Sequence, residues 1–467
     1  MAPRLGPDDK PVEDVLIVGG GQSGVIAAAA LRREGLERVT VVDQACAGRE
    51  GPWSTFARMA ELRTPKTQVG SELSLPSLSV RRWFEATHGE GSWDTIERIP
   101  THDWQAYLAW YRDTTGVDVV NEVSVCGIRE ATAGVLAVDT IEDGAPCTRW
   151  ARSVVLTTGF DGAGAWRVPT FVSDRLDPSF YDHSNTVIGF DALRGKRIGV
   201  LGHGASAFDN ANAAIDAGAA SVDICFRRDR LPRTNPHRQI ETAGLMTHYP
   251  ELSDEVRWNI AQFFRSNDQP PPQRSFSQAM ASNSVTLRPA TPWLDLEQAD
   301  GVVRVSTPDG VLEFDHLILA TGAVTDLATR PELTHLEPLV RRWSDAIEIS
   351  ADDHDPRLGA LPYLDTGYAF EPRDDGDDWV RRVFAFNSLS FVSQGPHSTS
   401  ISGHRHALPR LIRGITRRLF LDGADSVIDD LVAYESRDLD VPDDFEQRCR
   451  HESRLSTAPG QERERAS

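Results

Sequence analysis

The chain has 467 residues, 40% of them hydrophobic, enough for two or three domains with real cores. Its formal net charge of −20 leaves no basic surface for neutralising phosphates, which excludes a nucleic-acid partner. No apolar run approaches the length of a transmembrane helix and residues 1–13 lack the hydrophobic stretch of a signal peptide, so a cytoplasmic location and no membrane partner are expected.

The first predicted element is the apolar β-run Asp14-Val15-Leu16-Ile17-Val18, which feeds into Gly19-Gly20-Gly21-Gln22-Ser23-Gly24 and an Ala-rich helical stretch. In that setting Gly19 makes the tight turn, Gly21 lets the backbone approach a pyrophosphate, and Gly24 lets helix and strand pack closely. The helix N-terminus supplies the positive dipole end. The strand Val39–Val42 then ends in Asp43, followed by Gln44, where a carboxylate accepts hydrogen bonds from an unphosphorylated ribose. This unit is expected to hold FAD or NAD. Further on, Trp104, Tyr107, Leu108 and Tyr111 fall at helical spacing and read as a packing stripe. The apolar strand Val154-Val155-Leu156 leads into Thr157-Thr158-Gly159.

A second unit opens at about Arg194. Its strand Arg197–Leu201 leads into Gly202-His203-Gly204-Ala205-Ser206-Ala207, with Ala in place of the third glycine. The following strand, Ser221–Phe226, ends in Arg227-Arg228 with no acid at the tip. Guanidinium groups there suit a 2′-phosphate, so NADPH is expected, with NADH as the alternative if these arginines are merely solvated. The stretch from Arg227 to Asn283 exceeds what a minimal unit needs. It carries Asn235, His237, Arg238 and His248, which are either substrate contacts or solvated loop residues. Leu317-Ile318-Leu319 leads to Ala320-Thr321-Gly322, a second Thr-Gly crossing. Val383–Phe386 reads as a last strand, His406 to Phe420 as a closing helix, and residues 437–467 as a poorly ordered tail.

The expected fold class is α/β, with two Rossmann-like dinucleotide-binding domains, the NAD(P)H domain inserted in the FAD domain. Residues 1–193 and 320–436 form the FAD-binding domain and 194–319 the NAD(P)H-binding domain. Cys46, Cys126, Cys147, Cys225 and Cys449 include no C-x-x-C pair, so no disulfide scaffold, zinc ribbon or dithiol acceptor is indicated, and the scattered histidines predict no metal site.

Two dinucleotide fingerprints in one chain describe a device for moving a hydride, and the whole plan resembles the class B flavoprotein monooxygenases. Gly48-Arg49-Glu50-Gly51-Pro52-Trp53 resembles their Gly-Gly-x-Trp segment, which implies a flavin contact for Trp53. His183 and Leu193–Arg197, leading into Gly202–Asp209, resemble their approach to the NADPH unit. Ala320-Thr321-Gly322 resembles the late interdomain linker, which implies cofactor contacts for Thr321 and Gly322. Ser179-Phe180-Tyr181-Asp182 replaces the Phe-x-Gly that precedes the equivalent of His183 in Baeyer–Villiger enzymes, and this argues against ketone-to-ester chemistry.

The segment Thr55–Lys66 is similar to the one lining flavin and substrate in N-hydroxylating ornithine and lysine monooxygenases. Asn387 and the stretch Gln394–Gly403, with His397 and Ser398, are similar to their loop near the flavin pyrimidine. The bacterial FAD-dependent urate hydroxylases are also similar, without a motif specific to them. Lys66 is one of three lysines, with Lys10 and Lys196, and its compact charge either fixes a substrate carboxylate or cofactor phosphates or caps a surface loop. Arg63 is either a flavin or substrate contact or an ion-pair residue. The resemblance implies an FAD- and NAD(P)H-dependent monooxygenase in which O2 adds at C4a of the reduced flavin. One oxygen atom then passes to a small polar nitrogen-containing substrate, an amine or amino acid nitrogen or a purine such as urate. The competing reading is an NAD(P)H:acceptor reductase without oxygen transfer. The other partners are O2 and a second copy of the chain in a homo-oligomer.

Overall fold

The computed structural model describes residues 5–132, 134–348, 355–436, 438–440 and 444–445. The predicted tail lies almost wholly outside them.

The chain begins with β1 (Glu13–Val18), α1 (Gln22–Arg33) and β2 (Val39–Val42), continues through α2 (Thr101–Thr115), and adds β3 (Val119–Val120), β4 (Val123–Thr132), β5 (Val135–Glu142) and β6 (Ala145–Leu156). These strands form one sheet in the order β3-β2-β1-β6-β5-β4. β3, β2, β1 and the second half of β6 are parallel, whereas the first half of β6 runs antiparallel to β5. Val15, Leu16 and Ile17 are fully buried, as a parallel strand covered on both faces requires. The stripe on α2 is packing: Trp104, Tyr107 and Tyr111 are buried and Leu108 is partly buried against the same core.

After β7 (Gly164–Trp166) and β8 (Tyr181–His183) a second parallel sheet is built from β9 (Arg197–Leu201), β10 (Ser221–Cys225), β11 (Val285–Arg288) and a later strand. α3 (Ala205–Asp216), α4 (Asp254–Ser266) and α5 (Gln273–Ala281) lie among these strands in sequence. A three-stranded antiparallel meander, β12 (Asp295–Ala299), β13 (Val302–Thr307) and β14 (Gly310–Phe314), precedes β15 (His316–Leu319), which completes the second sheet in the order β11-β10-β9-β15-β8. β16 (Ala323–Thr325) pairs with β7, and β17 (Val383–Ala385) returns to the first sheet beside β6. The closing helix α6 spans His404–Leu421, two residues earlier and one later than its sequence pattern indicates.

Each fingerprint thus follows a central strand, β1 or β9, with neighbours on both sides, the switch point at which open α/β sheets bind ligands. The described residues up to Leu419 make one compact unit and those from Phe420 another. Among the described residues no helix is long and apolar enough to cross a membrane, and no group of three or more His, Cys, Asp or Glu could hold a metal ion.

Candidate active site

The first glycine loop is tight for reasons that its neighbours supply. Gly19 has φ +110°, and a Cβ there would lie 2.6 Å from the Thr157 carbonyl oxygen. A Cβ on Gly24 would come within 1.9 Å of the Gly19 carbonyl oxygen. The Thr157 hydroxyl donates to the carbonyls of both Val18 and Gly19, at 2.9 and 2.8 Å. Asp43 is buried, and its two oxygens accept the N–H groups of Gly20 and Ala45, each at 2.7 Å. Burial raises its carboxyl pKa against those two bonds. α1 begins with no side-chain cap and no acidic residue in its first turn, so its leading N–H groups are unspent. These features fit a dinucleotide pyrophosphate and ribose. Trp53 donates its indole N–H to Gln22 Oε1 at 3.1 Å, and Gln44 is exposed beside Asp43.

The second fingerprint repeats the design. Gly202 has φ +143°, and a Cβ on it would lie 2.4 Å from the Ala320 carbonyl oxygen. Both Thr-Gly crossings therefore sit against the first glycine of a fingerprint. Gly204 has open space around it, and α3, like α1, lacks a side-chain cap and acidic residues in its first turn. Ser206 lies in that first turn. Arg228 pairs with Asp268 at 2.5 Å, and Asp268 also meets His203 at 3.2 Å. Arg227 is exposed, lines the cleft described next, and has no ion-pair partner among the described residues. Arg227→Ala is accordingly expected to raise the KM for NADPH about tenfold or more, the worth of a charged hydrogen bond, and to leave that for NADH nearly unchanged in parallel steady-state assays.

A cleft of about 2260 Å³ collects the second fingerprint, the Arg58–Pro65 segment, the Asn235–Glu241 region, Thr321, Gly322, Asn387 and the loop from Gly395 to Ser402. Ten arginines and six carboxylates line it, so it is cationic within an acidic chain. Arg58 donates to the Ser184 and Thr186 carbonyls, lies over the Phe190 ring, and has its pKa lowered by burial to about 10. Asn387 is buried; its amide donates to Thr158 Oγ1 at 2.9 Å and accepts the Leu389 N–H at 3.0 Å. Ser398 meets Ser390 hydroxyl to hydroxyl at 3.0 Å. His397 Nε2 lies 3.0 Å from His237 Nδ1, and the Asn235 side chain accepts the His237 backbone N–H at 3.1 Å. Arg238 is exposed at the cleft wall.

Two expectations need correcting, and Arg63 takes the second of its two readings. Lys66 does not line the cleft: its ammonium donates to the Trp93 and Ile96 carbonyls at 2.6 and 2.8 Å and lies over the Trp93 ring, satisfying the end of the short helix Ser92–Thr95. Lys66→Met is expected to lower thermal stability and leave kcat unchanged, since two partly buried carbonyls lose a charged donor, at about 1–3 kcal/mol. His248 is likewise outside the cleft, exposed and paired with Glu251 at 2.9 Å. Arg63 reaches the cleft as an ion pair, 2.5 Å from the buried Asp209 of α3, whose other oxygen accepts the Ser275 hydroxyl. Sequence reasoning also passed over Glu50, Arg58 and Glu241. Glu50 sits inside the quoted Gly48–Trp53 run, accepts from Arg112 and Asn121, and packs on Gly20. Glu241 follows His237 at the four-residue spacing that shares a helix face.

Comparison with known proteins follows the same lines. Residues 16–161 match the FAD-NAD(P)-binding family. An FAD-dependent urate hydroxylase of Xanthomonas campestris pv. campestris is 39% identical over 436 residues, covering 93% of this chain and 92% of that protein. The ornithine hydroxylase of Pseudomonas aeruginosa matches with a TM-score of 0.69 at 17% identity, covering 87% of this chain and 100% of that one. L-lysine 6-monooxygenase from Pseudomonas syringae matches with a TM-score of 0.66 at 18% identity, covering 87% and 99%. At those identities the two solved structures share the fold.

Proposed function

Because the chain belongs to the family of flavin-dependent monooxygenases that includes the FAD-dependent urate hydroxylase, we propose that its substrate is urate or a purine of the same shape and charge. It is an FAD- and NADPH-dependent enzyme that hydroxylates a small nitrogen-containing compound with O2. FAD would be held by Gly19, Gly21 and Gly24 with the start of α1, by Asp43 and Gln44 at the ribose, and by Trp53. NADPH would be held by Gly202, Gly204 and Ser206 with the start of α3, by Arg227 and Arg228 at the 2′-phosphate, and by Thr321 and Gly322. When bound, the flavin accepts two electrons from NADPH and activates O2.

The chain's own residues provide position and shelter. The Arg63–Asp209 and Arg58–Ser184 contacts tie the segment before Lys66 to the elements around the second fingerprint. Asn387 and Ser398, both buried and both already bonded within the protein, present fixed polar groups to the cleft. The carrying observation is likeness to the urate hydroxylase along nearly the whole chain, and the cationic cleft supports it. Urate is an anion at neutral pH, and an arginine-rich wall favours it over the cationic ammonium form of ornithine or lysine. The test is NADPH consumption by FAD-loaded enzyme with urate, ornithine or lysine, together with transfer of label from ¹⁸O2 to product. Urate should stimulate turnover and take up the label. Turnover with an amine and none with urate would sink this reading.

A further inference from the structure

One cluster in the cleft is unexplained by cofactor binding. His237 and His397 stand 160 residues apart in sequence, yet their rings meet at 3.0 Å, Nδ1 to Nε2, crossing at 87°. His397 turns its other nitrogen, Nδ1, toward Glu241 Oε1 at 3.8 Å. His237 packs on Phe264, with ring centroids 4.3 Å apart. Burial raises the Glu241 pKa, and the charges of Arg238 and Arg98 oppose that rise.

The positions of the protons follow from chemistry. Burial keeps both imidazoles neutral at pH 7, each pushed down to about 4, so the bridge between them carries one proton. A Glu241 carboxylate facing His397 Nδ1 at 3.8 Å is best met by an N–H there. His397 Nε2 is then bare and accepts the His237 Nδ1–H. The remaining nitrogen, His237 Nε2, is left with a lone pair and has no hydrogen-bond partner among the described residues. The reverse order would set two lone pairs, one of them on a carboxylate, against each other.

We propose that His237 is the catalytic base that takes a ring N–H proton from the substrate, with His397 and Glu241 as positioning residues that fix its tautomer. The proposal rests on the purine reading of the cleft. As a C–O bond forms at a ring carbon, the C=C pair of the ring makes that bond, the O–O bond breaks with its electron pair left on the departing oxygen, a C=N bond forms to the adjacent ring nitrogen, and the proton on that nitrogen passes to His237 Nε2. One atom of O2 enters the product, and the other leaves as water, completed by the proton released from nitrogen. NADPH supplies the hydride and solvent the remaining proton.

In FAD-loaded His237→Ala, the rate of urate hydroxylation divided by the rate of anaerobic flavin reduction by NADPH is expected to fall about 100-fold, the usual worth of a general base. Added imidazole should restore part of it, and Glu241→Gln should give a smaller fall with a shifted acid limb in the pH profile. A ratio within about twofold of wild type in His237→Ala would overturn the assignment. Histidine ¹⁵N NMR of the unmodified holoenzyme tests the arrangement without any variant: Nε2 of His237 should be bare and Nδ1 of His397 protonated, and the opposite order would overturn it. Failure of the wild-type enzyme to act on urate would instead remove the proposed function and the base's substrate with it. A urate-active wild type with an unaffected His237→Ala would remove the base alone.

Discussion

Gly24→Val is expected to purify as a colourless protein that has lost its flavin. The side chain would enter at the one point in α1 where the Gly19 carbonyl already lies 1.9 Å from the position of a Cβ, with Thr157 Oγ1 at 2.9 Å. Neither neighbour is free to yield, because the Thr157 hydroxyl is spent on Val18 and Gly19 and the Gly19 N–H is bonded to the Val42 carbonyl at 2.8 Å. The helix must slide away from β1. Overpacking of this kind costs about 1–3 kcal/mol, and the displacement also takes the leading N–H groups off the pyrophosphate, where each further 1.4 kcal/mol is about tenfold in affinity. Flavin absorbance per protein after gel filtration measures the loss, with circular dichroism showing whether the fold persists. Gly204→Ala makes the contrast: its Cβ meets nothing within 4 Å, so the variant should keep FAD and weaken only NADPH. A yellow, stoichiometrically loaded Gly24→Val would refute the packing argument.

The same glycines mark what was legible in the sequence. Gly19–Gly24 and Gly202–Ala207 follow apolar strands and open helices, a signal contained in about thirty contiguous residues, and both sheets are built around those strands. The conjunction of Asp43 with Gly20 was half legible: the acid's place after β2 pointed to a ribose, but its two bonds to backbone N–H groups depend on how the loop closes. Lys66 misled because its scarcity is a property of composition, whereas its role is set by two carbonyls about thirty residues downstream. His248 misled for a different reason: its partner Glu251 lies only three residues on, a local signal that sequence reasoning passed over. His237 and His397 were singled out separately, one as a substrate contact and one as a cofactor contact. Their meeting is a tertiary event that no spacing encodes.

Acidification should destabilise the protein between pH 6.5 and about 4, through histidines that the fold holds as neutral rings: His404 and His183 together with His237 and His397 of the cleft. His404, at the start of α6, is 1% exposed, meets Ser23 Oγ at 3.0 Å and stacks on Phe386. His183 is 4% exposed, stacks on Trp166, lies 3.1 Å from the Gly322 carbonyl through Nε2, and accepts the Asn185 N–H at Nδ1. Burial pushes each down to about 4 from an ordinary 6.5. In that window the unfolded chain binds protons that the folded chain refuses, so stability rises with pH across it and is lost as the pH falls through 6.5. Below about 4 both states are protonated and the dependence flattens. Each ring contributes about 3 kcal/mol over the full range, a large share of a stability of about 5–15 kcal/mol. The carboxyls of buried Asp43 and half-buried Asp365, raised by desolvation, act in the opposite sense at the acid end. The clearest reading therefore lies between pH 6.5 and about 5, where the unfolded histidines take up most of their protons. Urea midpoints should fall steadily across that interval, and His404→Asn should reduce the slope. An unchanged midpoint would mean that the fold does not hold these imidazoles neutral. Because His404 bonds the second residue of α1, the slope also reports on the helix that begins at the first fingerprint, and bound FAD should diminish it.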